Sequence, residues 1–173
     1  MNTEKPSLIL RYADAADLPA LRGVDARAVD ELAAEHYSID QRRVWASFAS
    51  SDRFVSFVRD VDTLVAGREG RIEGFCGIGA NGHVASLYVI GAAAGRGLGT
   101  RLLGQALRDH PAPTTGRYFA ETNLLSRRLF LKLGFTQIGT ERVIRDGVAF
   151  ERFLVDRAMG DPVRDEGAGT PTP

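Results

Sequence analysis

The stretch that most narrows the choice of folds runs from residue 87 to residue 107. Leu87-Tyr88-Val89-Ile90 is an apolar run of the length of a buried strand. Gly91-Ala92-Ala93-Ala94-Gly95-Arg96-Gly97-Leu98-Gly99 follows almost without side chains, and residues 100–107 carry the apolar spacing of an amphipathic helix. A strand that turns through glycines into a helix leaves backbone N–H groups unpaired at the helix's positive end, an arrangement suited to phosphate or pyrophosphate. Glycine lets such a ligand reach the backbone without meeting a Cβ.

Hydrophobic periodicity predicts the rest. Residues 7–12 read as a first strand. Asp14 and Asp17 offer N-caps and Pro19 a first-turn residue for a helix over 17–35, where Leu18, Leu21, Val24, Ala28, Leu32 and Ala33 recur at helical spacing and Gly23 is a point of potential breakage. Ser38 and Gln41 stand at capping-box spacing ahead of a second helix bearing Val44, Trp45 and Phe48. A short helix is expected over 52–60. From Thr63 the period is that of strands: 63–67 and 72–80 around Glu69-Gly70-Arg71, then 83–89 after the hairpin signal Asn81-Gly82. The helix after the glycine loop should end near His110, before Pro111-Ala112-Pro113. A strand over 116–122 should then lie parallel to 83–89, because a helix intervenes. A short helix over 126–133 closes at Gly134, and 135–143 and 148–155 form a hairpin across Arg145-Asp146-Gly147.

The fold class expected is α/β (α+β): a mixed, mostly antiparallel sheet with helices on both faces and one parallel pair beside the cleft. Residues 1–158 read as a single domain, and the Gly, Pro, Thr and acidic composition of 159–173 predicts a disordered tail. Lys plus Arg and Asp plus Glu each total 22, so no basic excess points to nucleic acid. No apolar run reaches the roughly 18–20 residues of a membrane span. The first six residues lack a signal-peptide pattern and Cys76 is the lone cysteine, which together predict a cytoplasmic protein with no membrane partner. Cys76 itself reads as a small buried apolar residue.

Two segments carry a resemblance. The strand and loop from Leu87 to Gly99, and Asn123-Leu124-Leu125-Ser126-Arg127-Arg128-Leu129-Phe130-Leu131-Lys132-Leu133-Gly134-Phe135, together resemble the GNAT superfamily of acetyl-CoA-dependent N-acetyltransferases. Tyr37-Ser38, Trp45 and Gly82-His83-Val84 are similar to those of a group of bacterial acetyltransferases of unassigned substrate. The resemblance implies acetyl-CoA as cosubstrate, no metal, and an amine-bearing small molecule or peptide as acceptor. Leu87, Tyr88 and Val89 would hold the pantetheine arm. Ala94, Gly95, Arg96, Gly97, Leu98, Gly99 and Thr100 would cradle the pyrophosphate, with Arg101 a further source of charge. Asn123 and Ser126 would meet the pantetheine and Phe130 would pack along it. Asn123 reads equally as the cap of the following helix, a job compatible with binding.

Three departures stand out. The family's loop Pro is Gly91 and its Gln/Arg is Ala94, which leaves backbone N–H groups as the binding elements. The family's general-acid tyrosine is Phe130, which has no proton to donate, so the acid lies elsewhere or with water. Candidates for proton transfer are Glu121 at a strand end, His83 and Tyr88, with Tyr118 and Ser126 as further donors. Glu121 reads equally as a partner for Arg127 or Arg128. An acyl-CoA-binding regulatory module with little turnover is the alternative reading, favoured by Phe130. The final hairpin, at a sheet edge, is a candidate homodimer surface.

Overall fold

The computed structural model describes residues 6–161; residues 162–173 of the expected tail and the N-terminal residues 1–5 lie outside them. Strand β1 (Ile9–Tyr12) leads into a turn capped by Asp14, whose carboxylate accepts from the Ala16 N–H at 2.8 Å. Asp17 is tied to Arg11 by two bonds of 2.7 Å. Helix α1 (Leu18–Leu32) takes Pro19 in its first turn and runs through Gly23 unbroken, burying Leu21, Val24, Ala28 and Val29. Helix α2 (Ile39–Ser50) starts at the expected capping box: Ser38 Oγ accepts from the Gln41 N–H at 3.1 Å and Gln41 Oε1 from the Ser38 N–H at 3.0 Å. Helix α3 (Arg53–Arg59) is the short helix expected there, and it buries Phe54 and Val58.

Strands β2 (Asp62–Arg68), β3 (Arg71–Ile78) and β4 (Val84–Val89) form an antiparallel meander with β1, in the order β1-β2-β3-β4. Helix α4 (Leu98–Asp109) buries Leu98, Leu102, Leu103, Ala106 and Leu107, one stripe of its surface. Strand β5 (Arg117–Thr122), helix α5 (Arg127–Lys132), β6 (Thr136–Arg145) and β7 (Val148–Ala158) complete the chain, with a second sheet in the order β5-β7-β6. Phe54 and Phe75 lie at the centre of one core cluster that reaches from α1 to Val155 of β7.

The expected parallel pair is reduced to a point. Between β4 and β5 the described residues show a single parallel bridge, His83 with Phe119, where the Phe119 N–H donates to the Gly82 carbonyl at 3.0 Å. Strand β5 instead pairs antiparallel with β7 along its whole length. The β3–β4 hairpin tip presses so closely on β5 that a Cβ on Gly82, at φ +86°, would fall 2.1 Å from the Arg117 carbonyl oxygen. Past that contact β4 and β5 share no further bridge among the described residues. The edges of β4 and β5 that face each other are left without a ladder, and the separation opens the cleft.

Candidate active site

The cleft floor is the strand-loop-helix segment. Gly95 and Gly97 adopt left-handed conformations at φ +71° and +79°, which side-chain-bearing residues adopt only at a cost. A Cβ on either would meet nothing within 4 Å, so the space over both is open. The Arg101 N–H bonds back to the Gly97 carbonyl at 3.0 Å, so the N–H groups of Leu98, Gly99 and Thr100 precede the first intrahelical bond. These donors face a cavity of about 880 Å³ lined by Leu87, Tyr88, Val89, Ala94, Gly95, Gly97, Leu98, Gly99 and Thr100 on one side and by Asn123, Ser126 and Phe130 on the other.

The family's loop proline has a replacement with a purpose of its own. The Gly91 N–H donates to Glu31 Oε2 of α1 at 2.5 Å, a bond proline cannot make, and a Cβ there would approach the same oxygen to 2.7 Å. Glu31 is itself held by Arg27 at 2.8 Å. Arg96 lies apart from the main cleft: with Arg101, Arg68 and Glu73 it lines a small cavity of about 150 Å³.

Across the cleft, Asn123 caps the turn that leads into α5. Its Oδ1 accepts from the backbone N–H groups of Leu125 and Ser126, both at 2.9 Å, and from Ser126 Oγ at 3.2 Å. Those bonds use the oxygen and leave the amide NH2 as a donor. Phe130 is buried, edge-on to Phe135 with centroids 5.0 Å apart, and forms apolar wall. Tyr118 points away from the cleft, donating to the Leu107 carbonyl at 3.4 Å.

A second cavity, about 630 Å³, meets the first. Trp45, Ala85, Tyr88, Glu121 and Asn123 line both. The second is walled by Tyr37, Trp45, Phe48, Phe57 and Phe150, with Arg53, Arg145, Arg152, Asp60 and Glu151 among its charged residues. Its roof is tied to the second sheet by the Leu124 N–H donating to Tyr37 Oη at 3.1 Å and by Gln41 Nε2 donating to the Ala149 carbonyl at 2.8 Å.

Glu121 and His83, 38 residues apart in sequence, meet here: His83 Nε2 lies 2.7 Å from Glu121 Oε2. Glu121 therefore pairs with His83, while Arg127 lies over the Phe153 ring at 4.6 Å. The hydrogen bond from His83 holds the Glu121 carboxyl below the usual carboxylate range, against the opposing effect of partial burial. In the tautomer that donates Nε2–H to the Glu121 carboxylate, Nδ1 carries the lone pair. The imidazole stacks on Phe119, centroids 5.1 Å apart, and its orientation is thereby fixed.

Tyr88 stacks on Phe75 at 5.3 Å and accepts a hydrogen bond from Trp45 Nε1 at 3.3 Å. Burial pushes its phenol well above the ordinary value, so it is a neutral donor at physiological pH. Cys76 is fully buried, with its thiol pushed up for the same reason.

A model of the acetyltransferase (GNAT) domain matches residues 33–154. The chain belongs to the GNAT acetyltransferase family. Among solved structures, a GCN5-related N-acetyltransferase from Rhodopseudomonas palustris superposes with a TM-score of 0.81 at 22% identity, over 92% of this chain and 99% of that one. The PaiA N-acetyltransferase of Thermoplasma acidophilum, solved with coenzyme A, gives 0.69 at 17% identity over 88% and 99%. YncA of Salmonella typhimurium, solved with acetyl-CoA, gives 0.62 at 20% identity over 94% and 99%. No curated protein matches the chain by sequence.

Two features of this GNAT chain were not read from its sequence. Arg53, Val143, Phe150 and Arg152 reach the second cavity from three elements whose spacing carries no chemical signature. Asp25 is fully buried on α1 with no partner for either oxygen among the described residues, and burial pushes its carboxyl up to about 7. The signal was present, since Asp25 stands four residues after Leu21 and four before Val29 on the stripe that α1 buries.

Proposed function

We propose that the protein moves an acetyl group from acetyl-CoA to a primary amine of a small molecule or peptide by direct attack. The observation that carries this reading is the shared wall of Trp45, Ala85, Tyr88, Glu121 and Asn123, where a donor-shaped cleft meets an aromatic-lined cavity holding a His–carboxylate pair. Structural neighbours solved with coenzyme A and acetyl-CoA support the choice of donor.

The pantetheine arm runs along the free edge of β4 at Leu87–Val89, and a backbone N–H there polarises the thioester carbonyl. The N–H groups of the glycine turn and the first turn of α4, from Ala94 to Thr100, take the pyrophosphate; Arg96 adds charge from outside. The Asn123 amide reaches the arm, Ser126 keeps Asn123 in place, and Phe130 supplies apolar wall. The amine enters from the aromatic cavity. Its proton passes to His83 Nδ1, with Glu121 fixing the tautomer and stabilising the imidazolium, the division of labour familiar from His–carboxylate pairs. Tyr88, at the junction of both cavities, protonates the leaving thiolate in place of the tyrosine that Phe130 replaces. The edge strand β6, with Ile138 and Ile144 exposed, is the surface proposed for a homodimer.

The test is thiol release from acetyl-CoA across a panel of aromatic amino acids, arylalkylamines and short peptides with free N-termini. Release with at least one amine, reduced about a hundredfold in Glu121→Gln, is expected. Saturable acetyl-CoA binding with no thiol release from any amine would favour the non-catalytic acyl-CoA module that Phe130 suggests.

A further inference from the structure

The charges around the aromatic cavity are sorted by position. Glu121 is bonded to His83, and Arg152 to Glu141, its cross-strand neighbour on β6. Glu151, between Phe150 and Arg152 on β7, alternates to the other face of the strand, where its charge acts on Tyr37. That leaves Asp60, Arg53 and Arg145. All three line the cavity, and none has a side-chain hydrogen bond or ion pair among the described residues.

The acid and the two bases stand at different ends. Asp60 caps the C-terminus of α3, and the next residue, Val61, packs over the end of β3. A Cβ on Gly77 would fall 2.7 Å from one Val61 methyl, and a Cβ on Gly79 3.7 Å from the other. The Gly79 N–H in turn donates to the His83 carbonyl at 2.9 Å. Asp60 therefore stands at the end of the cavity where His83 and Glu121 meet. Arg53 begins the same helix, about 10 Å away along its axis at about 1.5 Å per residue. Arg145 is also remote, along the second sheet. Glu121 stands opposite Leu154 of β7, and Arg145 opposite Val148, about 20 Å of strand away. The long arginine side chain recovers part of that span by reaching back to the cavity it lines. Between the ends, α3 contributes Phe57 and β7 contributes Phe150. The cavity is acidic where the amine's proton is handled and basic at the far side.

We infer that the acceptor is an amine with an anionic group, a carboxylate above all, at the end remote from the amine, separated from it by an apolar body on the order of 10 Å long. Arg53 and Arg145 take the anion, Phe57 and Phe150 hold the body, and the ammonium is drawn to Asp60 and Glu121 before His83 accepts its proton. The inference rests on the acceptor site proposed above and narrows what enters it. An α-amino acid fits poorly, because its carboxylate is bonded to the carbon that bears the amine and reaches no arginine while the amine is at His83. Two sources share the chemistry. One is an arylalkylamine with a carboxylate on its ring; the other is a short peptide, three residues of which span about 10 Å.

Binding is measurable without turnover. Trp45 is the sole tryptophan and lines both cavities, so its fluorescence in protein loaded with coenzyme A reports occupancy. Para-aminoethylbenzoate should bind about tenfold or more tighter than phenethylamine or phenylalanine, or glycyl-phenylalanyl-glycine by the same factor over its C-terminal amide. A preference confined to the benzoate identifies the arylalkylamine, and one confined to the tripeptide identifies the peptide. Arg53→Gln or Arg145→Gln should erase the preference and keep the rise in melting temperature given by acetyl-CoA. Arg142→Gln, an exposed arginine on the alternate face of β6, should keep both. Equal binding with and without the remote carboxylate in both pairs, or a preference that survives both cavity variants, overturns the inference. Thiol release separates it from the reading beneath it. The preference without release from any amine overturns acetyl transfer and leaves the inference standing, whereas release with equal KM for all the amines overturns the inference and leaves acetyl transfer standing.

Discussion

Replacing Gly97 by valine separates two effects that usually travel together. The residue sits at φ +79° at the N-terminus of α4, and the position its Cβ would occupy is empty to 4 Å. Without ligand, the variant suffers the left-handed backbone penalty of an L-residue, about 2 kcal/mol for a β-branched side chain. At about 2–4 °C per kcal/mol for a chain of this size, the melting temperature should fall by roughly 4–8 °C. Acetyl-CoA at a hundred times its Kd stabilises the native parent by about 2.7 kcal/mol, a rise of roughly 5–11 °C. The valine methyls project into the space assigned to the pyrophosphate, so that rise should vanish in the variant. Gly116→Val is the control: Gly116 has φ +70°, equally open space, and no part in either main cavity. It should lose comparable stability and keep the whole ligand-induced rise. Differential scanning fluorimetry with and without acetyl-CoA measures all of these quantities. A Gly97→Val protein that still gains the parental rise, or a Gly116→Val protein that loses it, refutes the placement of the pyrophosphate.

Other outcomes follow from neighbouring features. Glu121→Gln should leave the acetyl-CoA melting shift intact while slowing thiol release, because Glu121 acts on the acceptor side; loss of the shift would move Glu121 to the donor site. Glu121 is held below its ordinary value, so it contributes stability above the unfolded carboxylate range near 4.3 and loses it as pH falls through the folded value. The parent should accordingly lose more stability than Glu121→Gln between pH 6 and pH 3 in urea titrations, and equal losses would contradict the His83 bond. Gly91→Pro restores the family's residue but removes the N–H that Glu31 accepts and crowds its carboxylate. It should cost about 1–3 kcal/mol, read as a lowered melting temperature, and much less in a Glu31→Ala background.

The elements were legible where periodicity and punctuation agreed. Ser38 with Gln41, Gly134 after α5 and Asn81-Gly82 mark their boundaries through local chemistry that acts the same in any fold. The glycine turn was legible for the same reason, since φ values of +71° and +79° are a demand on residue type. The course of β5 was not, because sequence order says that a helix intervenes and leaves open how far two strands stay together. Nor could spacing reveal that His83 and Glu121 touch, whereas the capping role of Asn123 was legible from its place ahead of a helix. Asp25 was legible in principle, as a charge on a buried stripe.

The single bridge between the sheets has a mechanical consequence. Two strands whose facing edges share one bridge are held closest there, and beyond it their spacing is set by side-chain packing. His83 is one of the two residues of the bridge, its ring lies on the other, Phe119, and Glu121 is two residues further along the same strand. The His83–Glu121 pair therefore sits at the join. Substitutions along the unladdered edges of β4 and β5 can reshape the cleft while the spacing between imidazole and carboxylate, set beside the bridge, stays nearly constant.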